Sequence, residues 1–328
     1  MTPDVEEHNG LVFAHVLDGR GGGRRIDWPE IETWTPDAGV LWLHLNRKNP
    51  HSVSWLRDHA GIDPIACDAL LAEETRPRSV TLGEGMLLIL RGVNLHPDAD
   101  PEDMISVRLW VDAHRVISLR QYRVMAVRDV REDIEAGRGP ADAGELIVRL
   151  ADRLLERMGP VLEALDERID DIEEQLVEAP TGEMRYRLGG LRRRAILLRR
   201  YLAPQRDALS RLQFEAVAWL GERPRGRLRE IGDRLLRYVE DLDAARERAA
   251  VVHEEIVARL SEQMNRTMYL LSLVACIFLP LGLVTGLLGI NVSGIPGSHY
   301  RWAFAIVCGL LVGLAGVQVW LFRRLRLM

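Results

Sequence analysis

The chain has 328 residues, a formal net charge of −5 and 47% hydrophobic residues. Its three cysteines form no CxxC pair, which argues against a disulfide framework and favours a reducing compartment for the soluble part. All 48 acidic residues lie before residue 263, so an acidic body precedes an apolar, weakly basic tail, and no nucleic-acid partner is expected.

Residues 1–140 are predicted to form a cytosolic α/β domain. Their start lacks the basic and apolar regions of a signal peptide. Apolar alternation between turn residues predicts strands at 11–17, 40–45, 86–93, 105–112 and 115–120, and short helices are predicted at 51–60, 64–73 and 125–136. The glycines at 21–23 lack the spacing of a phosphate-binding loop and are predicted to form a hairpin tip.

Residues 141–266 are predicted to form a helical stalk. Leucines, isoleucines and methionine recur at helical spacing from residue 144 to 178, with a kink expected at Gly159-Pro160. A second helix is expected over 183–220. From Arg227 onward no strong breaker occurs until Pro280, which predicts one helix of about 60 residues that needs parallel copies or the preceding helices beside it.

Residues 267–328 are predicted to form a transmembrane hairpin. The uncharged run 267–290 gives roughly 36 Å of helix, enough to cross a bilayer, and 302–322 is a second such run. Aromatic residues lie at the ends, as at membrane interfaces. Arginines at 259, 266, 323, 324 and 326, against Arg301 alone in the connecting loop, place both chain ends in the cytoplasm. A multi-pass protein of the cell inner membrane is therefore expected.

Sequence motifs for catalysis are missing. The chain has no GxSxG, HExxH or Gly-rich phosphate loop, and its histidines are dispersed. We therefore expect no enzyme activity and no cofactor. The acidic run at 163–174, notably Asp166, Asp170 and Glu173, has two interpretations: it attracts divalent cations electrostatically, or it is a solvated helix face paired with nearby arginines.

Small residues form one face of the first span. Ser272, Ala275, Gly282, Gly286 and Gly289 recur at spacings of three, four or seven, interrupted by Leu279. Such a face serves either close helix packing or the lining of a pore built from several subunits. The span ends at Asn291, whose neutral carboxamide can hydrogen-bond the water shell of a hydrated cation.

The sequence Gly289-Ile290-Asn291 at the end of the first span resembles the Gly-Met-Asn signature of the CorA family of divalent-cation transporters. Its context is similar to the ZntB branch of zinc transporters within that family. Three further stretches carry the resemblance, which extends over nearly the whole chain: 264–297, LRRYLAPQRDAL at 198–209 and LLAEETRPRSV at 70–80.

This resemblance implies a funnel-shaped homopentamer in the lipid bilayer, in which the first spans form an inner ring around the pore. It implies that Asn291 lines the outer mouth and contacts the metal through its hydration water. The helical phase of the first span then places these residues toward the axis: Asn265, Met268, Leu271 or Ser272, Ala275, Leu279, Gly282 and Gly286.

Two departures from the magnesium-type pattern bear on the transported ion. Isoleucine replaces methionine in the signature, and the loop from Ser293 to His299 contains no acidic residue. Both favour Zn²⁺, or a related divalent metal ion, as the transported cation. The alternatives are a CorA-like Mg²⁺/Co²⁺ channel and a membrane-anchored sensor or scaffold that does not transport.

Overall fold

The computed structural model describes residues 7–97, 99–178, 181–289 and 300–324, and the chain divides into two compact units, Met1–Glu254 and Glu255–Met328. The predicted division at residues 140 and 266 remains a prediction. Within the described part of the first unit, the strands and three short helices precede residue 121, and only helices follow.

A seven-stranded sheet forms the N-terminal half of the first unit. Its strands are β1 (Leu11–Leu17), β2 (Gly23–Arg25), β3 (Leu41–Asn46), β4 (Arg78–Leu82), β5 (Gly85–Gly92), β6 (Ile105–Val111) and β7 (Arg115–Arg120). Their spatial order is β2-β1-β3-β7-β6-β5-β4, and β3 and β7 are parallel whereas the other neighbours are antiparallel. The five predicted strands are confirmed, and the edge strands β2 and β4 are additional.

Short helices cover this sheet. They are α1 (Trp28–Glu32), α2 (Pro50–Asp58), α3 (Pro64–Leu71) and α4 (Met125–Glu135), with a 3-10 turn at Pro36–Ala38. Asn49 and Asp63 directly precede helices α2 and α3, and their side chains accept backbone N–H bonds as N-caps. Each helix has a proline in its first turn. The glycines at 21–23 lie in the β1–β2 hairpin, as predicted.

In the described residues after α4, the structure has the helices α5 (Ala143–Glu156), α6 (Gly159–Glu178), α7 (Gly182–Phe214), α8 (Glu222–Leu288) and α9 (Ala303–Arg324). The kink expected at Gly159-Pro160 is instead a break between two helices, because α5 ends at Glu156 and α6 begins at Gly159. The uninterrupted helix predicted from Arg227 is confirmed and begins earlier, so that α8 has 67 residues and includes Pro280.

Buried apolar side chains stabilise both the sheet and the helical part of the first unit. Apolar residues of the sheet and α1–α3 form one cluster around Leu43, Leu45 and Ile117, which are completely buried. In the helical part, the apolar stripe of α6 is buried together with residues of α7, including Ile169, Ile172, Leu188 and Leu202. Burial of each such side chain contributes about 1.5–3 kcal/mol to stability. Because the apolar stripe of α6 faces this core, the charged residues of α6 lie on its outer face.

Candidate functional site

The C-terminal part of α8 and all of α9 are long and apolar enough to cross a membrane. Neither helix buries any of its most apolar 18-residue window within the single chain. Large apolar side chains there, such as Leu270, Phe278, Leu283 and Phe304, are 53–82% exposed. A soluble protein does not expose apolar surface on this scale, so these faces contact lipid or other copies of the chain.

The residues predicted to line a pore form one uncovered stripe along α8. Asn265, Met268, Leu271, Ser272, Ala275, Leu279, Gly282 and Gly286 are all exposed in the single chain. In contrast, partial burial marks Leu273, Ile277, Pro280, Leu281 and Val284. At roughly 100° per residue the two sets have mean directions about 160° apart around the helix axis. The small-residue stripe and the partly buried stripe are therefore nearly opposite.

The partly buried stripe of α8 has a counterpart on α9. Half-buried positions of α9 recur at helical spacing at Ala303, Val307, Leu311, Leu314, Ala315, Gln318, Val319 and Phe322. A side-chain hydrogen bond joins the two helices, from Gln318 Nε2 to the Cys276 carbonyl at 3.2 Å. The second span thus covers one face of the first span and leaves the predicted pore face free.

The described part of the signature is Gly289, directly after α8. Its N–H donates to the carbonyl of Thr285 at 2.9 Å and to that of Gly286 at 3.2 Å. A Cβ at this position would lie 3.1 Å from the Thr285 carbonyl oxygen, which favours glycine at the helix end. Ile290 and Asn291, for which a pore-mouth role is predicted, lie outside the described residues, as does the loop at 293–299.

The acidic run lies on the outer face of α6, where it meets an arginine from α8. Arg248 Nη1 donates to Asp166 Oδ1 at 2.8 Å, and Nη2 donates to Asp170 and, at 3.1 Å, to Glu173 Oε2. We call these four residues the Arg248 cluster. Its net charge is −2 because one cation faces three carboxylates. The hydrogen bond with Glu173, followed by that with Asp170, raises the pKa of Arg248, so the guanidinium remains charged.

The sequence alone does not identify Arg248 as the partner of these carboxylates. It is 82 residues from Asp166 and 75 from Glu173, whereas Arg168, the arginine within α6, is much nearer in sequence. The available signal is the apolar stripe of α8 around Leu242, Ala245 and Ala249, which are buried. Arg248 adjoins that stripe, so its side chain reaches a packed neighbour rather than open solvent.

The described residues contain no cluster of three or more His, Cys, Asp or Glu side chains suited to hold a metal ion. Two histidines of the sheet are buried: His44 Nδ1 lies 2.7 Å from Ser118 Oγ, and His15 is 1% exposed. Burial, and secondly the positive charge of Arg120, lowers the pKa of His44 to about 3. Burial, and secondly Arg25, lowers the pKa of His15 to about 4. Both imidazoles are therefore neutral core groups near pH 7.

Comparison with known proteins gives consistent results over the whole chain. The sequence profile described as "CorA-like Mg2+ transporter protein" matches residues 37–324. The divalent cation transporter CmaX of Pseudomonas aeruginosa is 47% identical over 325 residues, which is 98% of this chain and 97% of that protein. The zinc transport protein ZntB of Pectobacterium atrosepticum is 38% identical over 321 residues, 97% of this chain and 96% of that protein.

A solved structure shows the same fold. The structure of the full-length CmaX protein superposes with a TM-score of 0.85 at 44% sequence identity, covering 99% of this chain and all of that chain. The similarity therefore includes both the mixed α/β unit and the two C-terminal apolar helices.

Proposed function

The chain belongs to the CorA family and is a divalent-cation transporter with two membrane-spanning helices, and on this premise we propose that it forms a homopentamer in the inner membrane whose first spans line a pore for Zn²⁺. The proposal includes both chain ends in the cytoplasm, as the arginine distribution predicts. It also includes the funnel shape that the family resemblance implies. No catalytic residues are required, and the relatives are transporters rather than enzymes.

The observation that carries the pore proposal is the position of the small-residue stripe on the first span. A two-span chain cannot enclose a pore by itself, so the pore must be built by several copies. The stripe that includes Ala275, Gly282 and Gly286 is uncovered and nearly opposite the face that α9 covers. Several copies can therefore bring these stripes to a common axis while the second spans stay outside, and the small side chains leave room for a hydrated ion.

Zinc is proposed as the transported ion because of the residues near the mouth and the similarity to zinc transport proteins. The signature carries Ile290 and the loop at 293–299 contains no acid. Zinc prefers nitrogen and sulfur ligands, and His299, Cys276 and Met268 supply such atoms along the first span and loop. The rival ions are Mg²⁺ and Co²⁺, of which the description of the family profile names Mg²⁺.

Ion flux into liposomes tests the transport proposal. Purified protein is reconstituted, and uptake of Zn²⁺, Co²⁺ and Mg²⁺ is followed with an enclosed ion-sensitive dye. Empty liposomes provide the control. We expect Zn²⁺ to be transported fastest, and a higher rate for Mg²⁺ would assign the chain to the rival ion. Native mass spectrometry of the same preparation should give a pentamer; a monomer or dimer as the sole species would overturn the proposed assembly.

Asn291 is the most informative residue for the pore mouth. Five carboxamides around one axis form a neutral ring that recognises the hydrated ion through its waters, because divalent ions such as Mg²⁺ surrender inner-shell water reluctantly. Asn291→Ala removes these acceptors, and Asn291→Asp adds up to five charges that slow ion release. Both variants should lose flux and remain pentameric.

Asn291→Gly separates this role from helix termination. Asparagine also ends helices in a left-handed conformation, and glycine adopts that conformation equally well. We therefore expect the glycine variant to lose flux with a normal pentamer. Wild-type flux in Asn291→Gly would refute the pore-mouth role.

A further inference from the structure

Pro280 interrupts the backbone hydrogen bonds of the first span. It lies inside α8, eight residues before the last residue of the helix at Leu288. In a regular helix the N–H of residue 280 would donate to the carbonyl of Cys276, four residues earlier. Proline has no N–H, so the Cys276 carbonyl loses the donor that a regular helix provides. Inside a bilayer an unpaired carbonyl is costly because water is not available to replace the missing donor.

Gln318 of the second span supplies the missing donor. Its side-chain Nε2 lies 3.2 Å from the Cys276 carbonyl oxygen, the acceptor that an N–H at position 280 would bind in a regular helix. A carbonyl accepts hydrogen bonds only, so it is the amide nitrogen of Gln318 that must face it. Gln318 is also the one strongly polar residue of α9 before Arg323. The polar side chain and the backbone defect therefore coincide in space.

The position of this bond connects it to the candidate ion pathway. Pro280 and Gln318 are both half-buried, on the covered faces of their helices. Residues 281–289 follow the proline and carry Gly282, Gly286 and the start of the signature. A proline inside a helix permits a change of direction at this point. A contact at the proline can thus fix the direction of the segment that leads to Asn291.

We propose that Gln318 is a positioning residue, which completes the hydrogen bonding of the first span at Pro280 and so fixes the direction of its last turns toward the pore mouth. The link to transport rests on the proposed function, whereas the hydrogen bond itself does not. The two parts are therefore tested by separate measurements on the full-length protein in liposomes.

The hydrogen bond is tested by infrared spectroscopy of protein labelled with ¹³C at the cysteine carbonyls. Gln318→Met keeps the length of the side chain and removes the donor. The carbonyls of Cys67 and Cys308 cancel in the difference between the variant and the wild type. We expect a labelled amide I band to move to higher frequency in Gln318→Met, as for a carbonyl that loses a donor, and not in the neighbouring control Val317→Met. No shift in Gln318→Met would overturn the proposal whether or not the protein transports ions.

Transport is tested by a double-substitution cycle. Gln318→Met should lower the Zn²⁺ flux about threefold or more, in line with the measured strengths of hydrogen bonds between membrane helices. Pro280→Ala restores a backbone N–H at position 280, so the Cys276 carbonyl regains its donor within the helix. In the Pro280→Ala background, Gln318→Met should therefore have no further effect on flux and should leave the labelled band unshifted.

The cycle distinguishes positioning from general helix packing. If Gln318→Met lowers flux equally with and without Pro280, the residue acts through packing and the proposal is wrong. An infrared shift in Gln318→Met with unchanged flux would support the hydrogen bond in the wild type and refute its role in positioning the pore segment. Wild-type protein without flux would refute the proposed function, and the infrared measurement would still decide whether the bond exists.

Discussion

Replacement of Arg248 by methionine tests whether the Arg248 cluster joins α6 to α8. Arg248→Met keeps an aliphatic side chain and removes the guanidinium that donates to Asp166, Asp170 and Glu173. The four side chains are 37–54% exposed, so solvent weakens each ion pair. A pair of this kind contributes about 0.2–1 kcal/mol, and three carboxylates that share one guanidinium contribute about 1–2 kcal/mol together.

This energy sets the expected change in thermal stability. The first unit has 254 residues, and 1 kcal/mol corresponds to about 2–4 °C in the unfolding midpoint for domains near this size. The midpoint of Arg248→Met should therefore fall by about 2–8 °C at low salt. The difference in midpoint between the wild type and Arg248→Met should shrink as salt rises from about 0.01 M to about 1 M, because the Debye length falls from ~30 Å to ~3 Å. Circular dichroism of the full-length protein in detergent measures both midpoints.

The matched control is Arg246→Met on the same helix. Arg246 Nη1 lies 3.8 Å from Asp243 Oδ1, and the Arg246 side chain is 41% exposed. The variant Arg246→Met therefore loses a single weak ion pair. Millimolar Mg²⁺ should raise the low-salt midpoint of Arg248→Met more than that of Arg246→Met, because the three released carboxylates attract the cation. Equal midpoints in the two variants, or a deficit of Arg248→Met that salt does not change, would refute the electrostatic role of the cluster.

Two further predictions concern the acidic run and the buried histidines. Neutralising Asp166, Asp170 and Glu173 together should lower ion flux at low ionic strength and matter little at high salt; an equal loss at both would indicate specific coordination or misfolding. Stability should fall as pH drops from about 6.5 towards 4, because the pKa of His44 is about 3 and that of His15 about 4 in the folded state, so only the unfolded chain gains these protons. Each histidine contributes up to about 1.4 kcal/mol per pH unit, and His44→Asn should lower the slope measured in denaturant titrations; an unchanged slope would assign the acid sensitivity to carboxylates.

The strands of the sheet were predictable wherever they were buried. Central strands such as β5 and β6 bury almost every residue and therefore carry long apolar runs. The missed strands β2 and β4 are the two ends of the sheet order. β2 has three residues, none of them buried, and β4 buries only Ser79. An edge strand that buries so little has no apolar pattern to recognise, and its pairing is set by the neighbouring strand.

In the candidate site, features that lie within one helix were predictable from the sequence, whereas contacts between separate helices were not. Helical periodicity along one chain segment is enough to place the small-residue stripe of the first span, including Gly282 and Gly286, on one face. Contacts between distant segments leave no such periodic signal. The partnership of Arg248 with α6 and that of Gln318 with Cys276 depend on how separate helices pack, and they span 75–82 and 42 residues respectively.

The placement of Pro280 follows from the opposite requirements of the two faces of the first span. A proline on the face with Gly282 and Gly286 would open an unpaired carbonyl toward the proposed ion path, where it would bind a partly dehydrated cation. Pro280 lies instead on the half-buried face, and the second span provides an amide donor to the freed carbonyl. The first span can thus change direction at the proline while its small-residue face offers hydrated ions no additional backbone ligand. On this argument, a chain with proline at position 282 instead of position 280 should bind the divalent cation at the freed carbonyl and trap it there, even where the helix still forms.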